Sequence, residues 1–128
     1  MRLDKITLED IVLVNVYGGK SIIKNAKSII DLIINIIYEF ETDNVIIDKN
    51  IIDEKFFILS SGIAGEITQK IINYNIKVAI YGDYTKYNSK ALRDFIYESN
   101  NGKNIFFVEN KEQAILKLVK VQNKNILY

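Results

Sequence analysis

The sequence predicts a single α/β domain spanning residues 1–128, with a mixed, mainly parallel five-stranded sheet and helices in the order β-β-α-β-α-β-α-β-α. Three observations carry this. Short apolar runs alternate with segments of helical period along the whole chain. The connections between successive strands after the second are long enough to hold a helix, as parallel pairing requires. The first two apolar runs are separated by only two residues, which makes them a hairpin and the sheet mixed.

The elements follow in order. Residues 2–8 and 11–17 ("IVLVNVY") are strands joined by Glu9-Asp10. A helix at 25–40 has Asp31, Asn35 and Glu39 at helical spacing and a broad apolar face. "NVIID" at 44–48 is the third strand, and a short helical piece is expected at 53–58. The next helix, 61–74, places Ile63, Ile67, Ile71 and Tyr74 on one face, with Ala64 and Ile72 beside them. A strand at 77–82, a helix at 89–99 and a strand at 104–109 come next. In the last helix, "KEQAILKLVKV", Ala114, Ile115, Leu118 and Val119 point inward. Right-handed crossovers place successive helices on one side of the sheet unless the strand order reverses.

Composition narrows the chemistry. The chain has no Cys and no His, so a thiol nucleophile, a disulfide, a Cys/His zinc site and a Ser-His-Asp triad are all excluded. Acid-base work at neutral pH would need a shifted carboxylate, lysine or tyrosine. Lys+Arg is 17 against 16 Asp+Glu, a balance that gives no reason to expect nucleic acid or an anionic membrane as a partner. The start, "MRLDKITLED", has no signal-peptide apolar run, and "SIIDLIINIIYEF" is too short and too polar to span a bilayer. A cytoplasmic protein is expected, with no cofactor and no metal.

The loops that follow the strands gather at one edge of such a sheet, where ligands and partners bind. "YGDYTKYNSKALRDF" (81–95) lies there. Gly82 permits a tight strand exit, Asp83 forms an Asx-type turn, and Asn88 or Ser89 caps the next helix. Lys90 and Asp94 form an i, i+4 pair, and Leu92, Phe95 and Ile96 enter the core. Local structure leaves Tyr84, Lys86, Tyr87 and Arg93 unexplained. Tyr and Arg favour protein interfaces, so the stretch is expected to present an exposed Tyr/Lys/Arg surface to a protein partner. A small-molecule or nucleotide pocket using Asp83, Lys90 and Arg93, with or without catalysis, is the alternative.

Other candidates have simpler readings. Ser60 and Ser61 stand at a helix start, where they cap free N–H groups or accept a regulatory phosphate. Gly62 and Gly65 in the first turn, like Gly82, point to close backbone packing or, second, to a partner surface. "GGKS" at 18–21 lacks the earlier glycine of a phosphate loop, since that position is Val14, and is a turn with a solvated lysine. Asp48, Asp53, Glu54 and Asp83 can meet at the loop edge, but their spacing specifies no metal or acid-base pair. The apolar helix at 25–40 would let two copies pack together as a homodimer.

The motifs Gly62-Ile63-Ala64-Gly65-Glu66, Gln69-Lys70, Gly82-Asp83, Ser89 to Ile96 ("SKALRDFI"), Glu98-x-Asn100-x-Gly102 and Phe106-Phe107 resemble a bacterial family, domain of unknown function 4180. The resemblance covers nearly the whole chain and brings no activity with it. More loosely, the element order and "SSG" (60–62) resemble sulfate-transporter and anti-sigma-factor-antagonist (STAS) domains. That resemblance implies a STAS-like fold and a regulatory role in which a partner kinase phosphorylates a serine matching Ser60 and is released. The antagonists carry Asp before the acceptor, where this chain has Leu59.

Overall fold

The computed structural model describes residues 1–126. Strands β1 (Arg2–Leu8) and β2 (Ile11–Tyr17) form an antiparallel hairpin, with Arg2 opposite Tyr17 and Leu8 opposite Ile11. Glu9 and Asp10, the two turn residues, both adopt left-handed backbone (φ 52° and 63°). That geometry matches the strands' own twist. Helix α1 (Ala26–Phe40) starts at Asn25, whose side chain accepts the Ser28 N–H while the Ser28 hydroxyl accepts the Asn25 N–H. These reciprocal bonds satisfy free donors of the first turn.

The chain continues through β3 (Asn44–Asp48), α2 (Ile63–Asn73), β4 (Lys77–Tyr81), α3 (Lys90–Asn100), β5 (Ile105–Val108) and α4 (Lys111–Ile126). The strands lie in the order β1-β2-β3-β4-β5, and all neighbours after the first pair are parallel. Between β3 and α2 the chain makes three consecutive 3-10 turns, Lys49–Ile51, Glu54–Phe57 and Leu59–Ser61, where the sequence suggested one short helical piece. The Asp48 and Asp53 carboxylates accept the N–H groups of Asn50 and Lys55 and start the first two turns.

The strand order never reverses, so α1, α2 and α3 share one face. Ile29, Ile33, Ile36, Ile67, Ile71 and Leu92 from these helices pack with Val14, Val16, Val45, Ile47, Val78, Ile80, Ile105 and Phe107 of the strands. The alternate strand residues Ile11, Leu13, Ile46, Ala79 and Phe106 face the other way and pack with Ala114, Leu118 and Val119 of α4. Tyr74, expected on the inner face of this helix, is its C-cap and 43% exposed, and Ile72, expected beside that face, is 49% exposed. Ala64, Ile67 and Ile71 already fill the face toward the sheet, and Ile72 and Tyr74 fall to its two sides.

No helix among the described residues is long and apolar enough to cross a membrane.

Candidate functional site

The chain leaves β4 toward α3 on one face of the sheet and leaves β5 toward α4 on the other. Adjacent parallel strands whose connections diverge in this way open a crevice beyond their carboxyl ends. A cleft of about 800 Å³ lies there, with Gly82, Asp83, Tyr84 and Thr85 on one wall and Phe107, Val108, Glu109 and Gln113 on the other.

Both walls are tied down by side chains bonded to backbone. Asp83 accepts the N–H of Thr85 at 2.9 Å and its hydroxyl at 2.6 Å. These bonds hold the Asp83 carboxyl below its ordinary pKa. The Tyr84 phenol donates to the Ile80 carbonyl at 2.7 Å, and burial pushes its pKa well above the usual tyrosine value. On the opposite wall Asn100 brackets Phe107, accepting its N–H at 2.7 Å and donating to its carbonyl at 3.3 Å. Gln113 reaches back from α4 to accept the Glu109 N–H at 2.9 Å, and Asn110 caps the helix by accepting the Gln113 N–H.

A polar network anchors the first wall from beneath. Glu54 Oε1 accepts from Lys49 Nζ at 3.2 Å and from Lys86 Nζ at 3.0 Å, and Glu54 Oε2 accepts from the Tyr87 phenol at 2.7 Å. The Lys49 side chain is only 9% exposed. Its ammonium lies 4.7 Å from the Phe57 ring centre and 4.9 Å from that of Tyr87, two rings stacked 5.1 Å apart. Partial burial tends to raise the Glu54 pKa, but the hydrogen bonds from Tyr87, Lys86 and Lys49, with the Lys49 charge, outweigh it and hold the carboxyl at about 2. Burial and the bond to Glu54 push the Tyr87 phenol the opposite way, above its usual value.

The residues singled out in 81–95 therefore divide. Asp83 and Tyr84 line the cleft. Lys86 and Tyr87 join the 83–89 loop to Glu54. Lys90 pairs with Asp94 at 2.8 Å and Arg93 donates to the Asn88 carbonyl at 3.2 Å, both exposed on α3. Ser89 caps that helix by accepting the Leu92 N–H. The expected exposed Tyr/Lys/Arg surface is thus corrected. Tyr84 and Tyr87 are half-buried against the core, because the Ile80 carbonyl and Glu54 satisfy their hydroxyls there. Nor do Asp83, Lys90 and Arg93 converge on one pocket, since only Asp83 borders the cleft.

Asp48, Asp53, Glu54 and Asp83, which could have met at the loop edge, are not assembled into one site. Asp48 and Asp53 are spent on turns, and Glu54 on lysines and a tyrosine. Among the described residues no group of three or more acidic side chains is arranged to hold a metal. The loops after β3 and β5 were expected at this edge, but no role was expected there for Lys49 or Glu109, and Gln113 was not foreseen. The one available signal for Lys49 was its place between a β-strand and the pair Phe56-Phe57, which no local period marks.

The glycines and serines complete the edge. Ser61 accepts the Ile63 N–H at 3.2 Å and donates to the Lys55 carbonyl at 2.7 Å, joining two of the 3-10 turns, while Ser60 is exposed. The packing expected of Gly62 and Gly65 is absent, because a Cβ at either has nothing within 4 Å. Gly62 is required instead by its left-handed backbone, φ 81°. A Cβ on Gly82 would come within 2.6 Å of Lys49 Cβ, so here the backbone does approach a neighbour closely. The first two positions give a prediction of opposite signs. Gly65→Ala gains about 0.5–1 kcal/mol by helix propensity, and Gly62→Ala loses about 1 kcal/mol to left-handed strain. Urea unfolding of the two variants checks both signs.

A model of the family described as Domain of unknown function (DUF4180) matches residues 9–118, a span that includes both cleft walls and the Glu54 network. No curated protein and no solved structure matches the chain. With most of its length, from the hairpin turn to the middle of α4, fitting that model, the chain belongs to the DUF4180 family.

Proposed function

We propose that the chain is a non-enzymatic regulatory or adaptor module that binds a protein partner through the carboxyl edge of the sheet, with the β4/β5 cleft receiving a short segment of that partner. The observation that carries this reading is the fork of β4 and β5: a pre-organised cleft with Phe107, Val108 and Tyr84 as apolar wall and the carboxylates of Asp83 and Glu109 beside them. That combination fits a segment in which an apolar side chain neighbours a Lys or Arg.

The protonation of the edge favours binding over acid-base chemistry. Glu54 sits at about 2, Asp83 is lowered, and Tyr84 and Tyr87 are raised. A proton shuttle at neutral pH needs a group near neutrality, whereas groups fixed in one state suit recognition. The element order and the sequential sheet support a STAS-like reading of the fold, and with it a phospho-switch at Ser60 or Ser61. A phosphate on Ser61 would displace its bond to the Lys55 carbonyl and add about two negative charges at the edge.

Panning a displayed random-peptide library against the wild type is expected to enrich sequences with a basic residue beside an apolar one. Asp83→Lys/Glu109→Lys should weaken the enriched peptides about tenfold or more, and phosphomimetic changes at both serines should alter their binding. The cleft's volume also falls within the range of small-molecule sites. If no peptide were enriched while a nucleotide or phosphorylated metabolite raised the melting temperature, the small-molecule reading would replace this one.

A further inference from the structure

We infer that the amino edge of the sheet holds a second site, which takes a primary ammonium carried on a methylene chain. An open hollow of about 670 Å³ lies at the amino ends of β2 and β3, lined by residues 10–12, Ile37, residues 41–44 and Gln122. Turn chemistry puts these groups together. Asp10 is the second residue of the β1/β2 turn and Glu41 is the C-cap of α1, both in left-handed backbone (φ 63° and 54°). Thr42 then pins the segment to β2, because its hydroxyl donates to the Val12 carbonyl at 2.6 Å and accepts the Asn44 N–H at 3.2 Å.

Charge, an unpartnered acceptor and an apolar floor identify the ligand. Asp10, Glu41 and Asp43 line the hollow. Asp43 pairs with Lys77 at 3.7 Å, while Asp10 and Glu41 have no ion pair among the described residues. The last turn of α1 carries no basic residue, so the negative end of the helix dipole adds to these carboxylates. Asn44, 4% exposed, is the independent sign of a missing donor. Its Nδ2 donates to the Val12 carbonyl at 3.4 Å, which turns Oδ1 away from that carbonyl. Oδ1 is buried and has no donor among the described residues, a costly state for an acceptor. Because Asn44 lines the hollow, a small side-chain rotation presents this oxygen to a donor seated there. Ile37, 39% exposed, forms the floor with Ile11 and Val12. Carboxylates and an amide oxygen call for a positively charged donor, and the floor calls for methylenes beside it. An alkylammonium, with three N–H donors on an apolar stem, supplies both. A divalent ion does not fit, since no three acidic side chains of the described residues are arranged to hold one. A free diamine and the lysine of a partner share this chemistry. The β4/β5 cleft lies at the carboxyl ends of the strands, so the inference does not depend on the function proposed above.

Isothermal titration calorimetry at about 0.15 M salt tests this, with cadaverine and Nα-acetyl-lysine amide as probes. At least one should bind saturably. Cadaverine alone would identify a free diamine, the lysine amide alone a partner's lysine, and both together the ammonium itself as the group recognised. Asp10→Asn/Glu41→Gln removes two charges at nearly constant shape and should weaken the bound probe about tenfold. Asn44→Ala should weaken it by a similar factor. Asp31→Asn/Asp94→Asn removes as many carboxylates elsewhere on the surface and should leave affinity within about twofold. Far-ultraviolet circular dichroism confirms that each variant is folded. Binding of neither probe overturns the inference, as does binding that Asp10→Asn/Glu41→Gln or a folded Asn44→Ala leaves unchanged. A loss just as large in Asp31→Asn/Asp94→Asn, or displacement of the probe by an equal concentration of magnesium chloride, would overturn it too, since either would mean attraction by charge alone.

Discussion

Gly82→Ala is expected to cost about 2–3 kcal/mol of folding stability, although it adds a single methyl group. Gly82 follows β4 directly, and its backbone is not in the left-handed region, so conformational strain is not the cause. The cause is Lys49. An added Cβ would lie 2.6 Å from Lys49 Cβ, 2.8 Å from Cδ and 3.3 Å from Cγ. A flexible side-chain end can swing away at little cost, but a Cβ moves only with its backbone. The backbone of Lys49 is held between β3 and the buried Ile51 and Ile52. Relief must therefore shift either the β4 exit, which is one wall of the cleft, or the lysine stem that carries the ammonium to Glu54. Urea midpoints for wild type and Gly82→Ala measure the loss. Lys49→Ala in the same background removes Cγ and Cδ but keeps Cβ, so it should recover only part of it. Gly65→Ala, the same chemical change in open space, should move the midpoint upward. A loss under about 0.5 kcal/mol at Gly82 would mean that the strand exit yields more easily than close packing allows.

The contrast between these two glycines shows where the sequence was legible. Gly62, Gly65 and Gly82 were read alike, as sites of close packing, because composition and spacing cannot distinguish an open helix surface from a crowded strand exit. The elements themselves were readable, since Glu9-Asp10 between two alternating runs and the apolar faces of α1 and α2 are signals spread over neighbouring residues. The three 3-10 turns after β3 were not, because the Asp48 and Asp53 caps act across two residues and leave no period. The cleft depends on α4 packing opposite α3, and α4 is similarly apolar whichever face it takes. The polar tips of Tyr84 and Tyr87 suggested exposure. Their partners lie at Ile80, behind the strand exit, and at Glu54, distant in sequence, so only the fold reveals that both phenols are satisfied inside the protein.

Glu54→Gln should destabilise the chain at neutral pH by about 1–2 kcal/mol, and the deficit should close on acidification. The sign follows from linkage. The Glu54 carboxyl is held at about 2 in the folded chain against an ordinary value of 4.5. Its contribution is therefore fully present above about pH 4.5 and is lost as the pH falls toward about 2. The shift alone would imply a larger effect, but the Glu54 side chain is 56% exposed and solvent screening reduces it. What remains is the cost to Lys49. Gln keeps the shape and an acceptor oxygen but takes the carboxylate charge away from an ammonium that is 9% exposed, leaving it the faces of Phe57 and Tyr87 and the more distant charge of Asp83. Subtracting the variant's stability curve from that of the wild type, between pH 7 and pH 2, isolates this group from the other carboxylates. Lys49→Met discriminates further. It removes the buried charge and places a flexible apolar chain between the rings, while Glu54, already in contact with water, keeps Lys86 and Tyr87. It should therefore cost less than Glu54→Gln, because an unpaired charge is expensive where it is buried and cheap where water reaches it. A larger loss for Lys49→Met would mean that the cation's hold on the two rings and the carboxylate, rather than the need to neutralise it, is what stabilises this wall of the cleft.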